Sequence, residues 1–250
     1  MAGHSHWAGI KHKKALVDNK RGKLWSKLSK TIIVAAKIGG GDPDTNIRLR
    51  TAIADAKAVS LPKDNIDRAI KKGTGELDGG NVEEIIYEGY GAGGVAVMCD
   101  IMTDNRNRTA PELRKLFEVN GGKLGSTNCV AYLFDRKGLF VVSNDDIDEE
   151  TVMEVALEAG AEDVRQEREV FEIICRPEAY NDVSNALEAA SIAVVTKQLT
   201  RIPNNTVHLD IQTARKVLKL VEALDEHDDV QNVSGNFNIS DEALAELAAD

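Results

Sequence analysis

The residues best suited to chemistry crowd the amino-terminal quarter of the chain, and the chemistry they suit is electrostatic. Lys11, His12, Lys13, Lys14, Lys20, Arg21, Lys23, Lys27 and Lys30 form its densest basic run, and Asp18 is the only acidic residue before Asp42. Like charges at this density repel, and a polyphosphate partner relieves that repulsion while releasing condensed counterions. A charge run is ordinarily a solvated helix face. Here the carboxylates that usually intersperse such a face are missing, and Trp7 and Trp25 lie in the same stretch as stacking or packing surface. Both features favour contact with a polyanion. Residues 1–75 hold sixteen Lys and Arg against six Asp and Glu, a net of +10, whereas residues 76–250 hold fifteen against thirty-five, a net of −20. A basic module is fused to an acidic body, which is a statement about partners rather than fold.

Other constellations are weaker. Arg106 and Arg108 sit in Asp104-Asn105-Arg106-Asn107-Arg108-Thr109, just before a helix start. Two readings stay open: a phosphate site built on free backbone N–H groups, or arginines that pair with local carboxylates and order the loop. Asp225, Glu226, Asp228 and Asp229 resemble paired catalytic carboxylates, but no nucleophile, orienting base or phosphate clamp lies nearby in sequence. An acidic helix end that repels nucleic acid, and so orients the basic module, is preferred to a metal-dependent hydrolase. His4, His6 and His12 lack acidic company and read as extra donors on an anion surface, not as metal ligands. Gly89, Gly91 and Gly94 match a dinucleotide fingerprint, yet Val95-Ala96-Val97-Met98 after them reads as a strand, so a glycine-rich hairpin is the better account. Cys99, Cys129 and Cys175 form no CxxC pair, so neither zinc nor a disulfide framework is indicated and a reducing cytoplasm is expected. No cofactor, small-molecule substrate or membrane partner is indicated.

The elements that must position these groups follow from periodicity. Over Lys23–Ile38, Leu24, Trp25, Leu28, Ile32, Ala35 and Ala36 share one face, and Lys23, Lys27, Lys30 and Lys37 share the other. Gly39-Gly40-Gly41 ends that helix. Leu49 to Val59 forms a second, restarted at Asp42-Pro43-Asp44, and a third runs from Pro62 to a stop at Gly73. After a glycine-rich linker the period becomes alternating. Strands are predicted at 85–87, 94–102, 130–134, 138–142, 170–175 and 192–199, with one or two more over 230–239. Helices are predicted from Thr109 (with Thr109 and Glu112 as a capping box), at 149–159, at 178–190, and through Ala214 to Leu224. The class is α+β: a three-helix module, then two small split β-α-β, ferredoxin-like sandwich domains.

Longer segments resemble the YebC family. They are Met1-Ala2-Gly3-His4-Ser5-His6-Trp7, Ile10 to Lys14, Lys20 to Lys23, Gly39 to Pro43, Arg48-Leu49-Arg50 and Ile66 to Gly73, then Ile86 to Tyr90, Thr103 to Thr109, Gly121 to Gly125, Val130 to Phe134 and Asp228 to Val233. The resemblance runs nearly end to end. It implies a helical domain at 1–79, a discontinuous α/β domain at 80–134 plus 206–240, and a third domain at 135–205 inserted in the second. It adds Arg48 and Arg50 to the nucleic-acid-binding candidates. The family is described as probable DNA-binding transcriptional regulators, its mitochondrial members activate translation, and some bacterial members are linked to ribosomes.

The resulting expectation is a non-enzymatic, cytoplasmic, DNA-binding regulator of transcription. The alternative is a ribosome-associated translation factor that binds ribosomal RNA. Both need positive charge, and neither needs a catalytic residue. No helix rich in Asn, Gln and Arg offers to read base edges, so phosphate contact without strong sequence preference is expected.

Overall fold

The structure is a computed structural model that describes residues 21–145, 147–167, 170–240, 243 and 246–247. Among them, 21–131 and 212–233 form one compact unit, and 132–211 with the described part of 234–250 forms another.

The first unit begins with three helices, α1 (Arg21–Gly39), α2 (Ile47–Ala58) and α3 (Lys63–Thr74). Their core is aliphatic: Ile32 to Ala36 of α1 meet Leu49, Ala52 and Ala56 of α2 and Ile66 and Ala69 of α3. Trp25 packs against this cluster and donates its indole N–H to the Val59 carbonyl at 3.2 Å, so it serves packing. Asn46, rather than Asp42 or Asp44, restarts the chain. Its Oδ1 accepts the Leu49 N–H at 3.1 Å, and its amide donates to the Ala35 and Gly40 carbonyls at 2.9 and 2.8 Å. One buried side chain therefore closes α1 and caps α2. Gly73 does not stop α3. The left-handed cap is Gly75, at φ 82. Gly73 instead allows close helix contact, because a Cβ there would stand 2.5 Å from the Ile33 carbonyl oxygen.

The helices are followed by a sheet of order β3-β1-β2-β9, from β1 (Glu83–Tyr90), β2 (Ala96–Thr103), β3 (Lys123–Leu124) and β9 (Val230–Gly235). β1 and β2 form an antiparallel hairpin whose turn carries Gly93 and Gly94 at φ 69 and 75, as the glycine-rich pattern led us to expect. Helices α4 (Arg106–Val119) and α7 (Ile211–Asp225) complete the unit. α4 starts earlier than predicted: Asn105 is its cap, accepting the Arg108 N–H at 3.1 Å, and Thr109 lies inside the helix. Residues 130–133 are not a strand, since a 3-10 turn occupies 131–133 and the next strand begins at Phe134. The reason is Glu88, buried on β1. Its carboxylate accepts the N–H groups of Asn128, Val130 and Ala131 at 2.7 to 2.9 Å, which spends donors that a ladder would need.

Between β3 and α7 the chain builds the second unit: β4 (Phe134–Ser143), α5 (Glu149–Glu158), β5 (Ala161–Glu167), β6 (Val170–Cys175), α6 (Tyr180–Ala189) and β7 (Val194–Pro203). The order is β5-β6-β4-β7, and every neighbouring pair is antiparallel. Two β-α-β halves interleave, which is the ferredoxin-like arrangement, and this domain is inserted in the one before it. Phe140, Val142, Phe171 and Ile173 of the sheet pack on Val152 and Ala156 of α5 and Val183 and Leu187 of α6. A short parallel pair, β8 (Val207–Leu209) with β10 (Phe237–Ile239), belongs to this unit. No helix among the described residues is long and apolar enough to cross a membrane.

Candidate nucleic-acid interface

The lysine stripe of α1 meets the end of α7. Lys23, Lys27 and Lys30 are spaced by four and three, which puts them on one helical face. α7 has no basic residue in its last turn, yet its final carbonyls lack intrahelical partners and its tail is acidic. The ammonium groups fill that need. Lys23 Nζ donates to the Glu226 carbonyl at 3.1 Å, and Lys27 Nζ to the Asp225 carbonyl at 2.6 Å. Lys30 Nζ donates to the Asp228 carbonyl at 3.0 Å and to Asp229 Oδ1 at 2.5 Å. Cations at a helix carboxyl end complement its macrodipole, and here a different helix supplies them.

Asp229 is the hub. It is 1% exposed, and its second oxygen accepts Thr109 Oγ1 at 2.7 Å, Arg108 Nη2 at 2.8 Å and Thr103 Oγ1 at 3.1 Å. Burial pushes this carboxyl toward the neutral form. The hydrogen bonds from Lys30, Arg108 and Thr109 outweigh it and hold the group well below the usual carboxylate range. The same bond raises the Arg108 guanidinium above its ordinary value. The loop is tied further by Met102 N–H to the Asp229 carbonyl at 2.9 Å.

This geometry alters the reading of the acidic tail. It is the counterpart of the lysine stripe, not a repellent surface or a catalytic cluster. Glu112, His227 and Asp229 place ligand-type atoms within 4.8 Å of one another. They do not fit a metal ion. His227 Nδ1 accepts the Asp229 N–H at 3.1 Å, its Nε2 faces Glu112 at 3.0 Å, and the Asp229 oxygens already serve Lys30 and Arg108. The thiols are not poised as nucleophiles either. Burial raises Cys99 and Cys129, and burial with the nearby Glu162 charge pushes Cys175 up to about 11.

The other sequence candidates divide as follows. Lys11, His12, Lys13, Lys14 and Lys20 lie outside the described residues, as do Trp7, His4 and His6, and Arg21 opens α1. Lys23 is exposed and, among the described residues, bonds only a neutral carbonyl, so its charge is not neutralised there, whereas Lys27 and Lys30 are turned inward. Arg48 Nη2 donates to both carboxylate oxygens of Glu84 at 3.0 and 3.1 Å, and Arg106 lies 3.8 Å from Glu83. Of the two readings of Asp104 to Thr109, the structure realises the second for Arg108, which pairs with Asp104 and Asp229. Arg50 is exposed and has no ion-pair partner among the described residues. Lys57, two turns on along α2, shares that state, as do Arg68 and Lys71 on α3. The composition of the module pointed to its net charge but could not separate these four from the lysines the molecule uses itself. Asp229 stood out in the sequence only as one of an acidic cluster, and Thr103 and Glu88 were not singled out at all, since each acts on residues far along the chain.

The chain matches two family models that together cover most of its length. The one described as "TACO1/YebC protein N-terminal domain" matches residues 5–76, and the one described as "TACO1/YebC second and third domain" matches residues 82–237. A probable transcriptional regulatory protein of Rhodopirellula baltica is 59% identical over 247 residues, spanning 98% of this chain and 100% of that protein. One from Geobacter sulfurreducens is 54% identical over 247 residues, spanning 99% of this chain and 100% of its own. The crystal structure of a conserved hypothetical protein from Aquifex aeolicus superposes with a TM-score of 0.86 at 52% identity, covering 94% of this chain and 98% of that one.

Proposed function

This chain belongs to the TACO1/YebC family, and from that premise we propose that it is a non-enzymatic regulator of transcription that binds duplex DNA through its helical module. The observation that carries the proposal is the cationic excess left on that module after internal pairing. Arg50, Lys57, Arg68 and Lys71 stay exposed without carboxylate partners among the described residues. Lys11, His12, Lys13, Lys14, Lys20, Arg21 and Lys23 add to the positive charge of this module in sequence. Lys27, Lys30 and Arg108 hold the module in place, and Arg48 and Arg106 contribute after exchanging Glu84 and Glu83 for phosphate. The full-length relatives named as probable transcriptional regulatory proteins make DNA the polyanion of choice.

The test is binding of the full chain to a labelled duplex across a salt series. Each phosphate contact removed flattens the log–log slope by about 0.9, so Arg50→Ala with Lys57→Ala lowers it by about 1.8. Lys27→Ala with Lys30→Ala leaves the slope near that of the parent. An unchanged slope in the first variant removes the module from the interface. Co-sedimentation with ribosomes that resists DNase and is lost on RNase treatment makes ribosomal RNA the partner instead.

A further inference from the structure

The charges of α7 are segregated along it. Arg215, Lys216 and Lys219 lie in its middle, and Glu222 and Asp225 in its last turn, with Glu226, Asp228 and Asp229 following. The acidic end is accounted for, because Lys23, Lys27 and Lys30 sit on it. The basic stretch is not: Lys216 and Lys219 are exposed and have no ion-pair partner among the described residues.

The neighbouring elements present the same charge. His227, just past α7, meets Glu112 near the start of α4, and Gly122 lies close to both Leu220 of α7 and Phe117 of α4. The two helices therefore run side by side in opposite directions, with β3 at the end where α4 finishes. Arg114 and Lys115 on the outer side of α4, and Lys123 on β3, are exposed and unpaired among the described residues. Val119, 72% exposed, stands one turn after Lys115 and offers apolar contact within the cationic group. Glu118 is an exposed acid on the same stretch.

We propose that Arg114, Lys115, Lys123, Lys216 and Lys219 form a second surface for a nucleic-acid phosphodiester backbone, carried by α4, β3 and α7 instead of the helical module. Five exposed cations stand without carboxylate partners among the described residues, in a stretch (76–250) of net charge −20, and a polyanion is the partner that complements them. This inference rests on the reading that the protein binds nucleic acid, and it adds a second footprint to that reading.

The experiment uses the full chain and a fluorescein-labelled duplex, with a single-stranded RNA of the same sequence as a parallel probe. Lys216→Ala with Lys219→Ala weakens binding and lowers the salt slope by about 1.8, and joining it to Arg50→Ala with Lys57→Ala lowers the slope by the sum of the two effects. Glu118→Lys tightens binding and steepens the slope by about 0.9, a gain that a folding defect does not imitate. If the Lys216 and Lys219 pair matches the parent while the Arg50 and Lys57 pair weakens, the second surface is overturned and the function reading stands. If the parent binds neither probe at low salt, both fall. A loss confined to the RNA probe overturns the surface as a DNA contact.

Discussion

Asp229→Asn removes one charge from the hub and keeps its shape. In the parent, the carboxylate accepts Lys30 at 2.5 Å, Thr109 at 2.7 Å, Arg108 at 2.8 Å and Thr103 at 3.1 Å while 1% exposed. Removing one partner of a buried pair costs about 3–5 kcal/mol, chiefly because the other charge is stranded. Lys30 and Arg108 keep side-chain exposures of 18% and 46% and can turn to water, so the lower end applies. A loss of about 3 kcal/mol in a chain of this size lowers the melting temperature by roughly 6–12 °C. The pH dependence has a definite sign. The folded-state value of Asp229 is depressed, so its contribution is complete above the unfolded carboxyl value of ~3.9 and is lost as pH falls through the folded value. Melting curves of parent and variant, followed by circular dichroism, should therefore stay separated above about pH 5 and converge in stronger acid. A gap under about 2 °C at neutral pH, or one that persists undiminished in acid, refutes the assignment of Asp229 as a charged hub.

Three further outcomes follow from other polar contacts. Asn46→Ala takes away a helix cap and two carbonyl partners and should cost about 2–3 kcal/mol by urea melting. Glu88→Gln replaces one carboxylate oxygen by an N–H₂, which then faces either the Asn128 N–H or those of Val130 and Ala131. It should cost about 2 kcal/mol and expose the 125–131 loop to limited proteolysis at rates well above the parent. Lys27→Ala with Lys30→Ala should lower the melting temperature by several degrees while leaving the salt slope of DNA binding near that of the parent, which separates a latch from an interface.

The local sequence carried most of the element boundaries. Period and glycine placement located α1, α2, α5 and α6 to within two residues, because a helix face and its terminator are set by neighbours a few positions away. Errors arose where a distant partner outbid the local signal. Thr109 has the spacing of a cap, but its hydroxyl is taken by Asp229, and the cap falls to Asn105. Residues 130–133 alternate like a strand, but Glu88, some forty positions earlier, holds their N–H groups. β5 was missed because Ala161 to Glu167 is polar and lies at a sheet edge, where no apolar alternation is required.

The candidate interface divides along the same line. Composition sufficed to show that cations outnumber carboxylates in the helical module, and periodicity sufficed to place Lys23, Lys27 and Lys30 on one side of α1. Neither property says what lies opposite that side. The carbonyls and carboxylates that occupy it come from positions 198 to 203 further along the chain, and chain closure over that span is what makes the lysine stripe a latch while leaving Arg50, Lys57, Arg68 and Lys71 in solvent. Periodicity assigns a face to each residue, and only the folded chain assigns each face its neighbour.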